Sequence, residues 1–338
     1  MKVLFYHGLP FSLVHGGAQT QIEQTKCGLE SVGVDGEWLR FWDGSQAGDI
    51  IHAFAPVERT FIQEARSKGI PVVLTSLLTA ECNWPKHRLK WKHRKLKIME
   101  KLPGFSGIYG ALSWRNCHSA SINIVGLECE KRVLSDVYGV PEDKIAVVPL
   151  GLSETYLKSE PATREGDCLI CVGTITERKQ SVKLAEMARE AEVPVLFVGK
   201  PYREDDPYWR VFKSLIDDRW VNHHSHVSSE EGMIELYRRA RGFVIFSAIE
   251  NWCLAAHEAA ACGLPLLLPS LNWSRERFPE ASFFPGSGQA EALRNFWNGA
   301  KKLPTVPRNR VPGWDESARQ LSAIYREILG GPKASFGS

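Results

Sequence analysis

Two carboxylates eight residues apart, Glu250 and Glu258, lie in the segment SAIENWCLAAHEAAACGLP, residues 247–265. An apolar run over 243–246 ends just before Glu250, which leaves Glu250 and Asn251 in a loop. The pattern predicts a helix over 252–262, with Asn251 as N-cap because its side chain can accept from an early helical N–H. The N–H groups of that first turn, at Trp252, Cys253 and Leu254, would form an anion site. Glu258 lies two turns in, amid Ala255, Ala256, Ala259, Ala260 and Ala261. Such small side chains let a ligand or another helix come close. Gly263 ends the helix as a C′ glycine.

A second concentration of chemistry is WPKHRLKWKHRKLKIMEK, residues 84–101, with eight Lys or Arg and one Glu. It predicts a basic helix bearing Lys86, Arg88, Lys90, Trp91, Lys92, Arg94, Lys95 and Lys97. At about 100° per residue, Leu89 and Leu96 share one face, and Trp91, Ile98 and Leu102 nearly the opposite one. One face is expected to pack on the domain and the other to meet an acceptor or an anionic membrane surface; a plain solvated helix is the alternative. His223, His224 and His226 form a loop cluster expected to be exposed imidazoles. Cys168 and Cys171 form a lone C-x-x-C inside a strand-like run, whose alternation points them to opposite faces. No D-x-D occurs in the chain, so no metal is expected at the site.

Short apolar runs alternating with amphipathic stretches must position these groups. Strands are expected at 2–6, 50–54, 72–75, 122–125 and 145–148, with helices at 18–31 and 129–138. The polar stretch 153–166 reads as an interdomain linker. Strands then recur at 168–172, 195–198, near Val221, 243–246 and 264–268. The helices between and after them are expected at 181–191, 207–216, 230–240, 252–262 and 315–329. Alternation of this kind means βα units and parallel sheets. The expectation is an α/β chain of two doubly wound, Rossmann-like domains facing a cleft. The first spans 1–152 and the second 166–312, and a helix over 313–330 crosses back to the first.

At Glu250–Pro265 the chain resembles glycosyltransferase family 4, retaining enzymes of the GT-B fold that use sugar nucleotides. The E-x7-E spacing is followed by E-A-x-A-C-G-L-P. Four other segments match in order. CVGTITERKQ (171–180) resembles the G-R-L-x-x-x-K segment, with Gly173 and Lys179 at the glycine and lysine positions. Residues 10–18 resemble the first loop, with Gly16 and Gly17; VYGVPEDKIAVVPLG (137–151) resembles the end of the N-terminal domain; and 314–329 resembles the crossing helix. The resemblance implies that Lys179 and the helix-start N–H groups stabilise the diphosphate leaving group. Glu258 would take the ribose hydroxyls, Glu250 the donor sugar, and Gly17 would admit the diphosphate. Departures are visible: Thr174 replaces the family's arginine, with Arg178 nearby as a substitute; Glu250-Asn251-Trp252-Cys253 replaces E-G-F-G; and the histidine expected after 72–75 is absent.

Composition sets the outer bounds. The 338 residues suggest two domains at about 150 residues each. With 43% apolar and 24% charged residues, a disordered chain, a collagen or a coiled coil is excluded. The net charge of +3 argues against a nucleic-acid partner. It conceals +7 in residues 84–101 on a body of −4. No run reaches the roughly 18 apolar residues of a span, and the N-terminus reads as a strand rather than a signal peptide. Eight cysteines read as reduced thiols of a cytoplasmic protein, peripheral on the inner membrane face. The expected function is transfer of a sugar from a UDP- or GDP-sugar to a glycan or lipid-linked acceptor, with no cofactor. A nucleotide-sugar epimerase or hydrolase of the same fold and a non-catalytic sugar-binding protein are the alternatives.

Overall fold

The computed structural model describes residues 1–8, 11, 17–54, 57–76, 80–101 and 114–330. Two compact units result: Met1–Gly151 together with the segment from Trp314, and Leu152–Gly313.

In the first unit, described elements run β1 (Lys2–Tyr6), α1 (Gly17–Ser31), β2 (Asp35–Trp38), β3 (Ile50–Ala53), α2 (Arg59–Ser67) and β4 (Val72–Thr75). They continue with α3 (Lys86–Glu100), α4 (Trp114–Ser119), β5 (Ile122–Val125), α5 (Glu128–Asp136) and β6 (Ile145–Val147). The six strands pair in parallel in the order β2-β1-β3-β4-β5-β6. Every residue of β3 and β4 is buried, as expected for a parallel sheet covered on both faces. The edge strand β2 reads Asp-Gly-Glu-Trp. It has no apolar run because one of its sides has no strand to pair with, so the hydrophobic pattern gave no sign of it.

The second unit runs α6 (Glu154–Lys158), β7 (Leu169–Val172), α7 (Ser181–Ala191), β8 (Val195–Val198), α8 (Pro207–Leu215), β9 (Val221–His224) and α9 (Glu230–Arg238). It continues with β10 (Gly242–Val244), α10 (Leu254–Ala261), β11 (Leu266–Leu268), α11 (Asn272–Arg277), β12 (Ser282–Phe283) and α12 (Gln289–Gly299). Its parallel sheet has the order β12-β11-β10-β7-β8-β9. This is the order of a dinucleotide-binding Rossmann sheet, whose direction of winding reverses between its first and fourth strands. Those strands are β7 and β10. A core of Leu184, Phe197, Phe212, Leu293 and their neighbours packs around it.

Two expectations need correction. The stretch 153–166 is not a free linker: it carries α6, and Tyr156 there is 5% exposed. One buried aromatic among polar neighbours is too little periodicity to announce a five-residue helix. The helix after Glu250 begins at Leu254, not Trp252, and its N-cap is Cys253 in the left-handed region (φ 54°, ψ 75°) with no side-chain cap. Asn251 therefore does not cap it.

The last helix, α13 (Trp314–Gly330), returns to the first unit and packs on α1. At Gly28 a Cβ would lie 3.3 Å from both the Ala318 Cβ and the Trp314 carbonyl oxygen, so glycine permits that approach. A buried polar chain fixes α13 to the sheet. The Tyr325 hydroxyl lies 2.6 Å from His52 Nδ1, and His52 Nε2 lies 2.6 Å from Thr75 Oγ1. Burial pushes the His52 imidazole down to about 3, so it stays neutral in this chain.

Candidate active site

The loops after β7 and β10 leave the sheet at its switch point, where ligands bind in doubly wound folds. After β7 the backbone passes through Gly173 at φ 152°. A Cβ there would sit 3.6 Å from Lys179 Cε, so the Lys179 stem lies across this glycine. Gly199, at φ 147°, is wedged more tightly: a Cβ would come within 2.1 Å of the Gly173 carbonyl oxygen. The chain then makes a single 3-10 turn, Glu177–Lys179, and leaves it through Gln180 in the left-handed region. That turn sets Arg178 and Lys179 side by side. Thr174 is half-buried in the loop before it.

The β10 loop is tied to this turn, for Ala248 N–H donates to the Arg178 carbonyl at 3.0 Å. Glu250 follows and is 7% exposed. Its Oε2 accepts from Lys179 Nζ and, at 3.2 Å, from Arg178 Nη1, which also donates to the Ile249 carbonyl at 2.9 Å. Burial opposes ionisation of Glu250, but the ammonium and guanidinium outweigh it and hold the carboxylate below its ordinary range. Burial likewise opposes the charge on Lys179, and Glu250 more than restores it. Two cations thus share one carboxylate, an arrangement with a net positive charge in which Lys179 and Glu250 are withdrawn from water while Arg178 is 43% exposed. A diphosphate offers more negative charge than Glu250 and could compete for both donors.

The left-handed turn at Cys253 brings the chain into α10. The N–H groups of Ala256 and His257 donate back to the Cys253 carbonyl, so Leu254 and Ala255 stand at the open end of the helix. The Trp252 side chain does not face a ligand. It is 4% exposed, stacks parallel on His257 at 4.5 Å, and carries the Arg277 guanidinium 4.6 Å from its ring. Any donor contact at Trp252 would have to come from its backbone. His257 donates Nδ1–H to the Cys253 carbonyl at 3.1 Å, and burial pushes it down to about 3. Burial drives the Cys171 and Cys253 thiols up to about 12, which removes them as nucleophiles.

Just over one turn into α10, Glu258 Oε2 accepts from the Tyr237 hydroxyl at 2.8 Å. Tyr237 is fully buried, and the ring of Tyr156 from α6 meets it edge-on at 6.4 Å. Burial pushes Glu258 up to about 7, against the pull of the Tyr237 hydrogen bond. One oxygen is therefore fixed by the protein, and the other is available to a ligand hydroxyl. Tyr237 and Tyr156 escaped the sequence reading because both sit on other elements, α9 and α6, with no spacing that ties them to Glu258.

The structure brings Lys179, Arg178, Glu250, Gly173 and Cys253 together, with Leu254 and Glu258 on the adjoining helix. Gly17 opens α1 in the first unit, and a Cβ there would meet nothing within 4 Å. Gly16 and most of the first loop lie outside the described residues. So do residues 77–79, where the histidine was sought. The basic segment is helical as expected, and Leu89 and Leu96 are half-buried while Trp91 and Ile98 are exposed. Lys92 departs from the patch: it pairs inward with Glu81 at 2.7 Å. The histidine cluster is not wholly an exposed loop: His223 and His224 lie in β9, and the half-buried His223 donates Nε2–H to the Gly199 carbonyl at 2.8 Å, while His224 and His226 are exposed. Among the described residues, no group of three or more His, Cys, Asp or Glu could hold a metal ion. No described helix is long and apolar enough to cross a membrane.

No protein-family model matches the chain. The chain is 23% identical over 195 residues to the O-antigen chain mannosyltransferase B of Escherichia coli, a match covering 52% of this chain and about half (50%) of that protein. It is 25% identical over 328 residues to the D-inositol 3-phosphate glycosyltransferase of Frankia alni, covering 86% of this chain and 77% of that one. Among solved structures, Anabaena HepE in complex with UDP-glucose superposes with a TM-score of 0.61 at 12% identity, covering 98% of this chain and 96% of that one. The structural likeness shows the fold: two Rossmann-like units in series, as in the GT-B glycosyltransferases.

Proposed function

We propose that the chain is a retaining glycosyltransferase, family 4-like and metal-independent, that moves a sugar from a nucleotide-diphosphate donor to a glycan or lipid-linked acceptor in polysaccharide biosynthesis. The observation that carries this reading is the Lys179–Arg178–Glu250 triad at the switch point of a Rossmann sheet, with Glu258 on the next helix. As the glycosyl bond breaks, negative charge develops on the leaving diphosphate. Preorganised cations aimed at that charge are the largest single source of such catalysis. Lys179 and Arg178 supply two, without a metal. On donor binding the diphosphate takes over these donors, and Glu250 is released toward the sugar hydroxyls. Leu254 and Ala255 N–H groups add the positive end of α10. Glu258 accepts from the ribose. Attack from the same face through an oxocarbenium-like state needs no protein nucleophile, in keeping with the neutral thiols and imidazole around the site.

The UDP-glucose complex of the similar Anabaena protein favours a UDP-sugar, with a GDP-sugar as the other candidate. Thermal-shift measurements with UDP, GDP and ADP identify the base. Lys179→Ala and Glu258→Ala should each abolish transfer while leaving the circular dichroism unchanged. Near-wild-type turnover in both variants would falsify the site. Product analysis without acceptor separates an epimerase or hydrolase, and stabilisation by none of the three nucleotides would favour a non-catalytic protein. The expected location is the cytoplasm, at the inner face of the membrane that carries the acceptor.

A further inference from the structure

Aromatic side chains from three elements gather at the carboxyl edge of the first unit's sheet. The winding of that sheet reverses between β1 and β3, the place where doubly wound sheets take ligands. Tyr6 is the last residue of β1 and pairs with Ala53, the last of β3. Phe61, from α2 after β3, stacks on the Tyr6 ring at 5.5 Å, and Phe41, from the loop after β2, meets that ring edge-on at 5.7 Å. Tyr6 and Phe61 are half-buried, whereas Phe41 is 72% exposed and its neighbour Trp42 83% exposed. Among the described residues, no large apolar side chain is more exposed than Trp42.

Single exposed apolar residues are ordinary. What sets this pair apart is how firmly its loop, residues 39–49, is tied down. The loop enters with Leu39 N–H donating to the Phe5 carbonyl at 2.9 Å, and leaves at Asp49, whose Oδ2 accepts from Lys2 N–H at 2.7 Å. Phe41 and Trp42 are the central residues of a turn closed by Asp43 N–H on the Arg40 carbonyl at 3.3 Å. The side chains close it again: Arg40 Nε and Nη2 donate to Asp43 Oδ2 at 3.1 and 2.9 Å, and Arg40 Nη1 to Glu37 at 3.1 Å. The Gln46 amide accepts from Arg40 N–H at 2.8 Å and donates to the Trp38 carbonyl at 3.0 Å. Asp43 Oδ1 accepts from Ser45 N–H at 3.0 Å. The polar groups thus satisfy one another within the loop, and the two rings at its tip are left in water.

We propose that this tip is a binding platform for a neutral saccharide, with Trp42 and Phe41 against the C–H face of a pyranose ring and Asp43 and Ser45 bonding its hydroxyls. A pyranose has an apolar C–H face and a rim of hydroxyls that both donate and accept. The electron-rich face of an aromatic ring suits the first, and a carboxylate beside a serine hydroxyl suits the second. A loop already held in place loses little freedom on binding. Charge sets the class of occupant. Residues 37–49 hold three carboxylates (Glu37, Asp43 and Asp49) and one cation, Arg40. That balance repels anionic lipid and phosphate and leaves a neutral polyhydroxyl ring unopposed. The contact does not depend on the transferase reading. Only its use, to seat the acceptor by its sugar rather than by a lipid, rests on that reading.

Saturation-transfer NMR of the full chain with maltotriose, mannotriose and chitotriose, each at millimolar concentration, tests the proposal. The expected result is transfer to the ring C–H protons of at least one of them. Phe41→Ala with Trp42→Ala should weaken that binding by about tenfold or more, and Trp42→Tyr, which keeps an aromatic face, should retain most of it. Both positions are exposed, so circular dichroism and the nucleotide-induced thermal shift of these variants should match wild type. Saccharide binding by a wild-type chain that no nucleotide stabilises would defeat the donor-site reading and leave this one standing. Transfer to none of the three saccharides, or equal binding by the double alanine variant, would overturn the proposal. So would co-sedimentation of wild type with phosphatidylcholine vesicles that the same double substitution abolishes, since the occupant would then be lipid.

Discussion

Glu258→Gln should make the protein more stable while destroying its binding function, and the size of the gain depends on pH. Burial holds the Glu258 carboxyl at about 7 in the folded chain against an ordinary value of 4.5. Between those limits the unfolded chain has lost this proton and the native chain has kept it. The native state then binds more protons, so stability falls as pH rises through the window. The full difference corresponds to at most about 3 kcal/mol, reached near pH 7 and constant above it. Glu258 keeps part of its surface open to water, which lowers the expected figure toward about 2 kcal/mol. A glutamine cannot ionise, yet its carbonyl oxygen can still accept from Tyr237. Urea unfolding of wild type and Glu258→Gln across this window is the assay. The two curves should converge near pH 4.5 and separate as pH rises, with the variant above. Parallel curves would refute the argument that Glu258 is buried at an energetic cost. If Glu258 holds the ribose as proposed, nucleotide binding by wild type should strengthen with pH up to about 7, by no more than about tenfold per unit, because hydroxyls donate to the ionised form.

Tyr325→Phe should cost about 1–3 kcal/mol, since it leaves a fully buried His52 nitrogen without its partner; urea unfolding of the variant measures it, and a loss below experimental error would mean that the chain of hydroxyls and imidazole does not hold α13. Gly199→Ala should destabilise by about 1–3 kcal/mol or more and weaken nucleotide binding, because its Cβ would displace the Gly173 carbonyl that supports the Lys179 loop. Titration calorimetry with the preferred nucleotide reads the second effect.

Much of the fold was legible because buried parallel strands are short unbroken apolar runs. Lys2–Tyr6, Val72–Thr75, Ile122–Val125 and Val195–Val198 fall where the sequence places them. The polar edge strand β2 and the helices α2, α11 and α12 were missed, their few buried residues being spread among polar ones, such as Ile62 and Ala65 in α2. At the site, loop residues next to a strand end could be read from type and spacing. What spacing could not convey was conformation. Cys253 adopts a left-handed turn that asparagine or glycine would favour, so the helix start moved two residues. Nor could it convey the partners of Glu250 and Glu258, Lys179 and Tyr237, which lie 71 and 21 residues away.

The return of α13 to the first unit has a consequence for the order in which the protein can assemble on the ribosome. The sheet of the first unit is complete once β6 has emerged, but one of its faces awaits Leu321 and Tyr325. All of Leu152–Gly313 must be made before they appear. At about 5–20 residues per second, that delay is on the order of 10–30 s. During it, the surface that α13 will cover, including Ile22 and Leu29 of α1, stays unsealed. Nascent chains stalled before Trp314 should therefore engage chaperones more than released chains do.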